Sequence, residues 1–244
     1  MTGERLRRSE TPPAFVETEA GDLRHYPHSK TIGVHTIRYR RQKWHDWFAY
    51  ESEDPDERPA LRMRETFGWI SRDNAVVGAL RLREFDLCPL DSNEILWLAA
   101  DDASRDASQA LYVLCSQWRE VGRLVGAHGP VLEVQGLWLR PAENASRGAE
   151  LLNTFVQAAF HECSVCILKA FPLEYQSELG NGPSLESAFN SRRRAMQRYY
   201  ARAAGIMTFP GPPGKEGWMW RPADRVAALI PTPCYSDEPF PNED

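Results

Sequence analysis

A buried strand that runs into a helix across a turn of small residues is the part of this sequence best suited to chemistry. From Val131 to Leu152 the chain reads VLEVQGLWLRPAENASRGAELL, an apolar run that ends at a proline and is followed by an amphipathic helix. The first turn of a helix has unpaired N–H groups and the positive end of the helix dipole, so it attracts phosphate groups. The small residues that would let a ligand approach this backbone are Ala145, Ser146, Gly148 and Ala149. The pattern predicts a phosphate or pyrophosphate site at the turn.

Three downstream segments are predicted to hold this turn in place. Ala149 to Phe160 has apolar residues at helical spacing, and Val165 to Phe171 has the composition of a buried strand. A longer helix is predicted from Leu185 to Ala204, because Gly205 favours helix termination. The segment IMTFPG is expected to return as a strand, and the later tryptophans to pack back on the core.

Upstream, the sequence predicts a sheet. TIGVHTIRYR alternates as a strand does, whereas RRQKWHDWFAY places Trp44, Trp47 and Phe48 at helical spacing, which predicts a helix. FGWISRDNAVVGALRLREF is predicted to be a hairpin, with Asp73 and Asn74 supplying the turn. EILWLAA is a further short apolar run, and a helix is expected over residues 106–124.

The order of these elements resembles that of the GCN5-related N-acetyltransferase family. The shared features are the strand with its proline, the small-residue turn, the leucine-bearing helix, the second strand, and a helix that ends in an aromatic pair before a glycine. The resemblance extends from Phe67 to Phe209. It implies an α/β fold with a mixed, mostly antiparallel central sheet flanked by helices, and a helical insertion before the strand that precedes the cofactor loop.

The resemblance also implies an activity, the transfer of acetyl from acetyl-CoA to an amine by direct attack. It assigns acetyl-CoA binding to Trp138, Leu139, Ala145, Ser146, Arg147, Gly148 and Ala149, the first two through backbone N–H groups that stabilise the oxyanion. Three patterned positions of the family's acyl-CoA loop are occupied here by Glu143, Ser146 and Gly148, of which Gly148 matches. Arg147 could offset the charge of Glu143.

A base and an acid follow from the same resemblance. Glu133, near the start of the strand, is the predicted general base; the alternative is a strand-end carboxylate that faces water or pairs with an arginine. The family's acid for the leaving thiolate is a tyrosine whose position corresponds here to Ala201. Tyr200 is one residue earlier and is the predicted acid; the alternatives are that the role is unfilled, or that Tyr199 and Tyr200 only pack against the core.

The expected organisation has three parts. Residues 1–30 form an N-terminal extension, 31–222 an acyltransferase domain with an insertion at about 86–130, and 223–244 a C-terminal tail. Together with the segment from Trp44 to Phe48, the insertion is expected to form the acceptor wall of a cleft opposite the acetyl-CoA turn. Near its start, Asp86, Asp91 and Glu94 could hold a cationic amine; the alternative is that they are solvated loop carboxylates.

Composition argues against several other classes of protein. A formal charge of -5 and a pI near 5.8 disfavour nucleic-acid binding as the main activity. No apolar run approaches the roughly 20 residues that span a bilayer, and the N-terminus lacks the hydrophobic segment of a signal peptide, so no membrane association and a cytoplasmic location are expected. His161, Cys163 and Cys166 lack a second ligand pair nearby, and no metal is expected.

Two functions stay open at this level. The first is acyl transfer to an amine-bearing small molecule or protein. The second is a catalytically weak domain of the same fold that works as a binding or assembly module, which Glu143 and the shifted Tyr200 both favour. A homodimer is compatible with either function.

Overall fold

The computed structural model describes residues 26–48, 58–140, 148–171 and 183–240 of the chain. Within them, the strands of a single sheet are β1 (His28–Ile32), β2 (His35–Arg41), β3 (His45–Trp47), β4 (Leu61–Arg72), β5 (Ala75–Leu87), β6 (Val131–Leu139), β7 (Val165–Lys169), β8 (Met207–Thr208) and β9 (Trp218–Pro222). The α-helices in these residues are α1 (Asn93–Ala103), α2 (Arg105–Gln117), α3 (Val121–Leu124), α4 (Gly148–Ala159), α5 (Pro183–Ala204) and α6 (Gly211–Lys215).

Strand order and direction define a mixed α/β fold. Neighbouring strands follow the order β1-β2-β4-β5-β6-β7-β9-β8, and β3 also pairs with β4. Every pair is antiparallel except β6 with β7. Parallel neighbours require a crossover, and α4 lies in the one between β6 and β7. A mostly antiparallel open sheet flanked by helices is therefore confirmed.

The central hairpin of β4 and β5 follows directly from local sequence. The two strands pair antiparallel from Leu61 opposite Leu87 to Arg72 opposite Ala75. Asp73 and Asn74, which connect them, have φ angles of 50° and 64°. Two consecutive left-handed residues match the twist of the flanking strands, and Asp and Asn tolerate this conformation best after glycine. The predicted hairpin is confirmed.

Two predictions near the N-terminus are wrong. TIGVHTIRYR is not one strand, because Gly33, at φ 58°, turns the chain between β1 and β2. RRQKWHDWFAY is not a helix in its described part; it contains the short strand β3. Trp44 lies with its ring 4.1 Å from the Arg64 guanidinium carbon, and Trp47 packs against the core. Strand pairing with β4 and packing against the core outweigh a helical pattern that consists of only three aromatic residues.

Two hydrophobic cores lie on opposite faces of the sheet. On the face that we call the α1 face, α1 and α2 pack over strand residues such as Phe85, Val131 and Ile167. On the α4 face, α4 and the C-terminal part of α5 pack over residues such as Leu82 and Leu132. Successive side chains of a strand point to opposite faces, so the two sets alternate along β5 and β6.

The segment between β5 and β6 builds the core of the α1 face. Its predicted single helix is divided into α2 and α3, and the EILWLAA run belongs to α1. Buried Asn93 joins these helices, because its Nδ2 donates to the carbonyls of Cys115 and Trp118 while its Oδ1 accepts the Val121 N–H. These helices therefore lie on the sheet face opposite to α4 and contribute to the hydrophobic core.

The chain after β9 continues along the same face. Trp118 Nε1 donates to the Pro231 carbonyl at 2.9 Å, and the Phe240 ring lies 5.3 Å from that of Trp97. Trp218 and Trp220 do pack on the core, as expected, but they do so in a strand, β9, that the sequence did not predict. Their position is set by pairing with β7 and β8.

Candidate functional site

Strand β6 has two halves with different neighbours. Its first four residues lie between β5 and β7, and the parallel pairing with β7 ends where Val134 is opposite Leu168. The second half, up to Leu139, pairs with β5 alone. Among the described residues, the backbone groups on the β7 side of this half have no strand partner. We call this half the diverging edge, and an edge of this kind can pair with the amides of an extended ligand.

A β-bulge begins the diverging edge. Arg81 and Leu82 are consecutive in β5, but they pair with Gly136 and Val134, so Gln135 is the extra residue of β6. A bulge bends and twists its strand, which accounts for the departure from β7. Gln135 Oε1 is buried and has no hydrogen-bond partner within the described part of the chain. The alternating pattern of the sequence contained no signal for this bulge.

Glu133 lies two residues before the bulge, on the α1 face. It is 7% exposed, so it does not face water. Its ion-pair partner is Arg83 of β5, whose Nη1 lies 3.5 Å from Glu133 Oε2. Oε2 itself is buried and accepts no hydrogen bond from any described residue. The carboxyl therefore has a cation beside it and one oxygen available.

The surroundings of Glu133 set its proton affinity. Burial raises its pKa from 4.5 to about 7, although the positive charge of Arg83 acts in the opposite direction. Burial disfavours the ionised form of a carboxyl, and a nearby cation favours it. A carboxyl that titrates near neutrality can both accept and release a proton at physiological pH, as a general base must.

The structure places Trp138 and Leu139 on the diverging edge. Half-buried Trp138 packs against an aromatic cluster on the α1 face that includes Phe67 and Trp69. Leu139 is buried with the core of the α4 face. Their backbones thus belong to the half of β6 that β7 leaves, where the resemblance expects an oxyanion contact.

The predicted phosphate turn lies partly outside the described residues. Ala145, Ser146 and Arg147 lie outside the described residues. Gly148 and Ala149 begin α4 and are both buried. The Ala149 N–H donates to the hydroxyl oxygen of Tyr199 at 2.8 Å, so this donor already has a protein partner.

Tyr199, which the sequence assigned no role of its own, is the tyrosine that reaches the start of α4. Tyr200 is half-buried on the α4 face, where burial raises its pKa to about 12. Its ring lies 5.6 Å from that of Tyr199. Since Glu133 is on the α1 face, the structure does not bring the side chains of the predicted base and acid together on one side of the sheet. Tyr199 and Tyr200 are adjacent in sequence, so only the rotation of α5 about its axis decides which of them reaches the start of α4.

The carboxylates expected to hold an amine are arranged differently from one another. Asp86 forms an ion pair with Arg62 across β4 and β5. Asp91 is half-buried before α1, and Glu94 is exposed in the first turn of that helix.

A surface depression on α5 is lined by Glu186, Ser187, Asn190, Ser191 and Arg194. None of the predicted site residues lines it.

The described residues contain neither a candidate metal cluster nor a helix that could span a membrane. No group of three or more His, Cys, Asp or Glu side chains there could hold a metal ion. Cys163 and Cys166 are unpaired thiols whose pKa values burial raises, which opposes the thiolate form that a metal needs. No described helix combines the length and the apolar character needed to cross a bilayer.

Comparison of the chain with family models, with curated proteins and with solved structures gave no match.

Proposed function

We propose that this chain is an acyl-CoA-dependent N-acyltransferase that transfers acetyl from acetyl-CoA to an amine. The observation that carries the proposal is the state of Glu133: a buried carboxyl with an oxygen that accepts no hydrogen bond and a pKa of about 7. Structural carboxylates are normally satisfied by hydrogen bonds, and perturbed, unsatisfied ones cluster at functional sites. Glu133 also lies just before the diverging edge, next to a backbone that could pair with a ligand.

The order of elements around that edge supports a GCN5-related N-acetyltransferase fold. β6 is followed by the crossover helix α4 and by the parallel strand β7, and α5 then ends at Gly205, which has a φ of 63°. The final strands return antiparallel to β7 in the order β9 and β8. This sequence of strand, helix, parallel strand and helix is the arrangement that the resemblance implies.

Each group has a role in the proposed reaction. Acetyl-CoA supplies an activated thioester. Its amides would pair with the diverging edge, and its phosphates would lie at the small-residue turn that the sequence predicts before Gly148. The amine nitrogen forms a bond to the acetyl carbon while the carbon–sulfur bond breaks. Glu133 Oε2 takes the proton that the amine loses, and N–H groups near Trp138 and Leu139 stabilise the oxyanion. Tyr200 or water returns a proton to the leaving sulfur.

A binding module remains the second candidate, and one observation favours it. The Ala149 N–H, which should face a phosphate, is bonded to Tyr199 instead. A ligand that uses this donor must first displace the hydroxyl or bind through it. A domain with this contact would retain the fold and bind acetyl-CoA weakly or not at all.

Acetyl-CoA binding and turnover separate these candidates. Acetyl-CoA should raise the Tm of the wild-type chain, since a ligand that binds only the folded state stabilises it by mass action. Thiol release should then be measured with amino acids, polyamines and a lysine-containing peptide as acceptors. Glu133→Gln should lower kcat by about 100-fold or more with unchanged acetyl-CoA affinity, because an amide cannot accept the proton.

The matched control is Glu162→Gln, which makes the same chemical change away from β6. Its kcat should stay within a few-fold of the wild type. No Tm change at millimolar acetyl-CoA together with no thiol release would contradict acyl transfer and leave the binding module. Equal kcat values for Glu133→Gln and the wild type would remove Glu133 from the reaction.

A further inference from the structure

Arg83 lies between two carboxylates on the α1 face. It is the Cα partner of Glu65 in β4 and of Glu133 in β6, so three side chains of alternating charge form one row across three strands. Arg83 Nη2 donates to Glu65 Oε1 at 3.2 Å, and Arg83 Nη1 lies 3.5 Å from Glu133 Oε2. Opposite charges directly across strands attract each other; Arg83 and Glu133 are buried, and Glu65 is half-buried.

Arg81 fixes the other end of the row. Its Nη2 donates to both oxygens of Glu65, at 3.0 and 2.9 Å. Glu65 is therefore held by two guanidinium groups, and it orients the Nη2 side of Arg83. By contrast, Arg83 Nη1 has no hydrogen-bond partner among the described residues, so its contact with Glu133 is Coulombic only.

The contact between Arg83 and Glu133 differs from a bidentate salt bridge, and the difference affects how readily Glu133 accepts a proton. A bidentate arginine would occupy both carboxylate oxygens and stabilise the anion so strongly that it could not accept a proton near neutral pH. With no cation nearby, burial would keep the carboxyl protonated, and it could not act as a base either. The Arg83 guanidinium lies 3.5 Å from Glu133 and is bound to Glu65 on its other side. It therefore favours the ionised carboxylate without forming hydrogen bonds to both of its oxygens.

We propose that Arg83 is a positioning residue for Glu133: anchored by Glu65, it holds the carboxylate beside the diverging edge, favours its ionised form and leaves Oε2 free. The proposal rests on the acyl transfer proposed above for the source of the proton. The ionisation of Glu133, however, is a property of the free protein and can be measured without ligand or turnover.

Several charged groups surround this carboxyl besides Arg83. They are Arg81 of β5, Glu65 of β4, Asp106 in the first turn of α2 and Lys169 on the same face of β7. On β7, the Cα partner of Glu133 is the apolar Ile167. Arg83 is the cation at ion-pair distance, so its removal should have the largest effect on the ionised form.

The test is a carboxyl NMR titration of the free protein labelled with ¹³C at the glutamate side-chain carboxyl. Glu133→Gln identifies the Glu133 resonance. Arg83→Met, which keeps the side-chain length and removes the charge, should raise the pKa of Glu133 by about one to three pH units. Arg83→Lys, which keeps the charge, should restore it to within about half a pH unit of the wild-type value.

Arg81→Met is the matched control, because Arg81 lies on the same strand and face and shares Glu65 as a partner. It should shift the titration less than Arg83→Met does. Far-ultraviolet circular dichroism checks folding, and Arg83→Gln replaces the Met variant if that variant is unfolded. An unchanged Glu133 titration in the neutral Arg83 variants, or an equal shift in Arg81→Met, would overturn the proposal.

The activity measurement keeps this inference separate from the proposed function. In the Arg83→Met variant, the acid limb of kcat/KM against pH should move upward with the titration of Glu133. A wild-type chain without thiol release would contradict acyl transfer, yet the NMR titration would still decide the role of Arg83. An acid limb that stays in place while the titration moves would overturn the link between Arg83 and the reaction.

Discussion

Glu84 and Glu133 are buried carboxylates on neighbouring strands of one sheet, but only Glu84 has both of its oxygens hydrogen-bonded. Glu84, on the α4 side of β5, is 0% exposed and accepts three hydrogen bonds. Two come from Nε and Nη2 of Arg64, both at 2.7 Å, and one from Nη2 of Arg41 at 3.0 Å. Glu133, on the α1 face, has one cation at 3.5 Å and an oxygen with no hydrogen bond.

The contrast separates a carboxylate whose two oxygens are hydrogen-bonded from one that has an unsatisfied oxygen. Arg41 also pairs with Glu162 and lies 4.3 Å from the centre of the Phe160 ring, so the Glu84 group joins strands β2, β4 and β5 to the end of α4. Both oxygens of Glu84 accept hydrogen bonds that join these strands. Burial alone would rank the two carboxylates alike; what distinguishes them is whether their oxygens are satisfied.

The largest effect is expected from Glu84→Gln. It leaves Arg41 and Arg64 with a neutral amide in a buried site, and breaking a buried ion pair costs about 3 to 5 kcal/mol. Urea denaturation at neutral pH measures the loss. Arg62→Gln is the matched control, because it breaks the more exposed pair with Asp86 on the same two strands and should cost less than about 1 kcal/mol. Equal losses would show that the Glu84 group is not the stronger anchor.

Glu133→Gln is expected to raise the stability of the fold at alkaline pH, whereas Glu84→Gln lowers it. Glu133 binds its proton more tightly in the folded chain, with a pKa of about 7 against the ordinary 4.5, so its contribution to stability is present below 4.5 and is lost as pH rises through 7. Glutamine stays neutral and Arg83 keeps its hydrogen bond to Glu65, so the free energy of unfolding of the variant should exceed that of the wild type by about 3 kcal/mol near pH 8 and equal it near pH 4. Urea denaturation at the two pH values tests this. A variant less stable than the wild type at the higher pH would contradict it.

A smaller effect, with the reverse pH dependence, is expected from Glu162→Gln. Burial acts to raise the pKa of Glu162, but its backbone hydrogen bond and Arg41 outweigh burial and lower it. Such a carboxylate stabilises the fold above its ordinary pKa, and this stability is lost as pH falls through the lowered value. The side chain is 34% exposed, so the variant should lose about 0.5 to 1 kcal/mol at neutral pH. Thermal unfolding at decreasing pH should show the Tm of the variant and that of the wild type converging. A Tm difference that grows as the pH falls would be inconsistent with the Arg41 pair.

Some elements were predictable because their causes are local. The β4–β5 hairpin needs only alternation and a turn that tolerates left-handed residues, and Gly205 marks the end of α5 where the sequence indicates it. Short strands were not predictable in the same way. β3 and β9 have three and five residues, and each exists because a longer-range partner supplies its hydrogen bonds.

By itself, the sequence determined the order of β6, α4, β7 and α5, the central hairpin and the presence of Glu133 on β6. Only the tertiary structure decided that Gln135 bulges, that Arg83 faces Glu133 without a hydrogen bond, and that Tyr199 caps α4. The reason is distance along the chain. Tyr199 and Ala149 are 50 residues apart, and a contact between such residues depends on strand register and helix rotation, which no local pattern encodes.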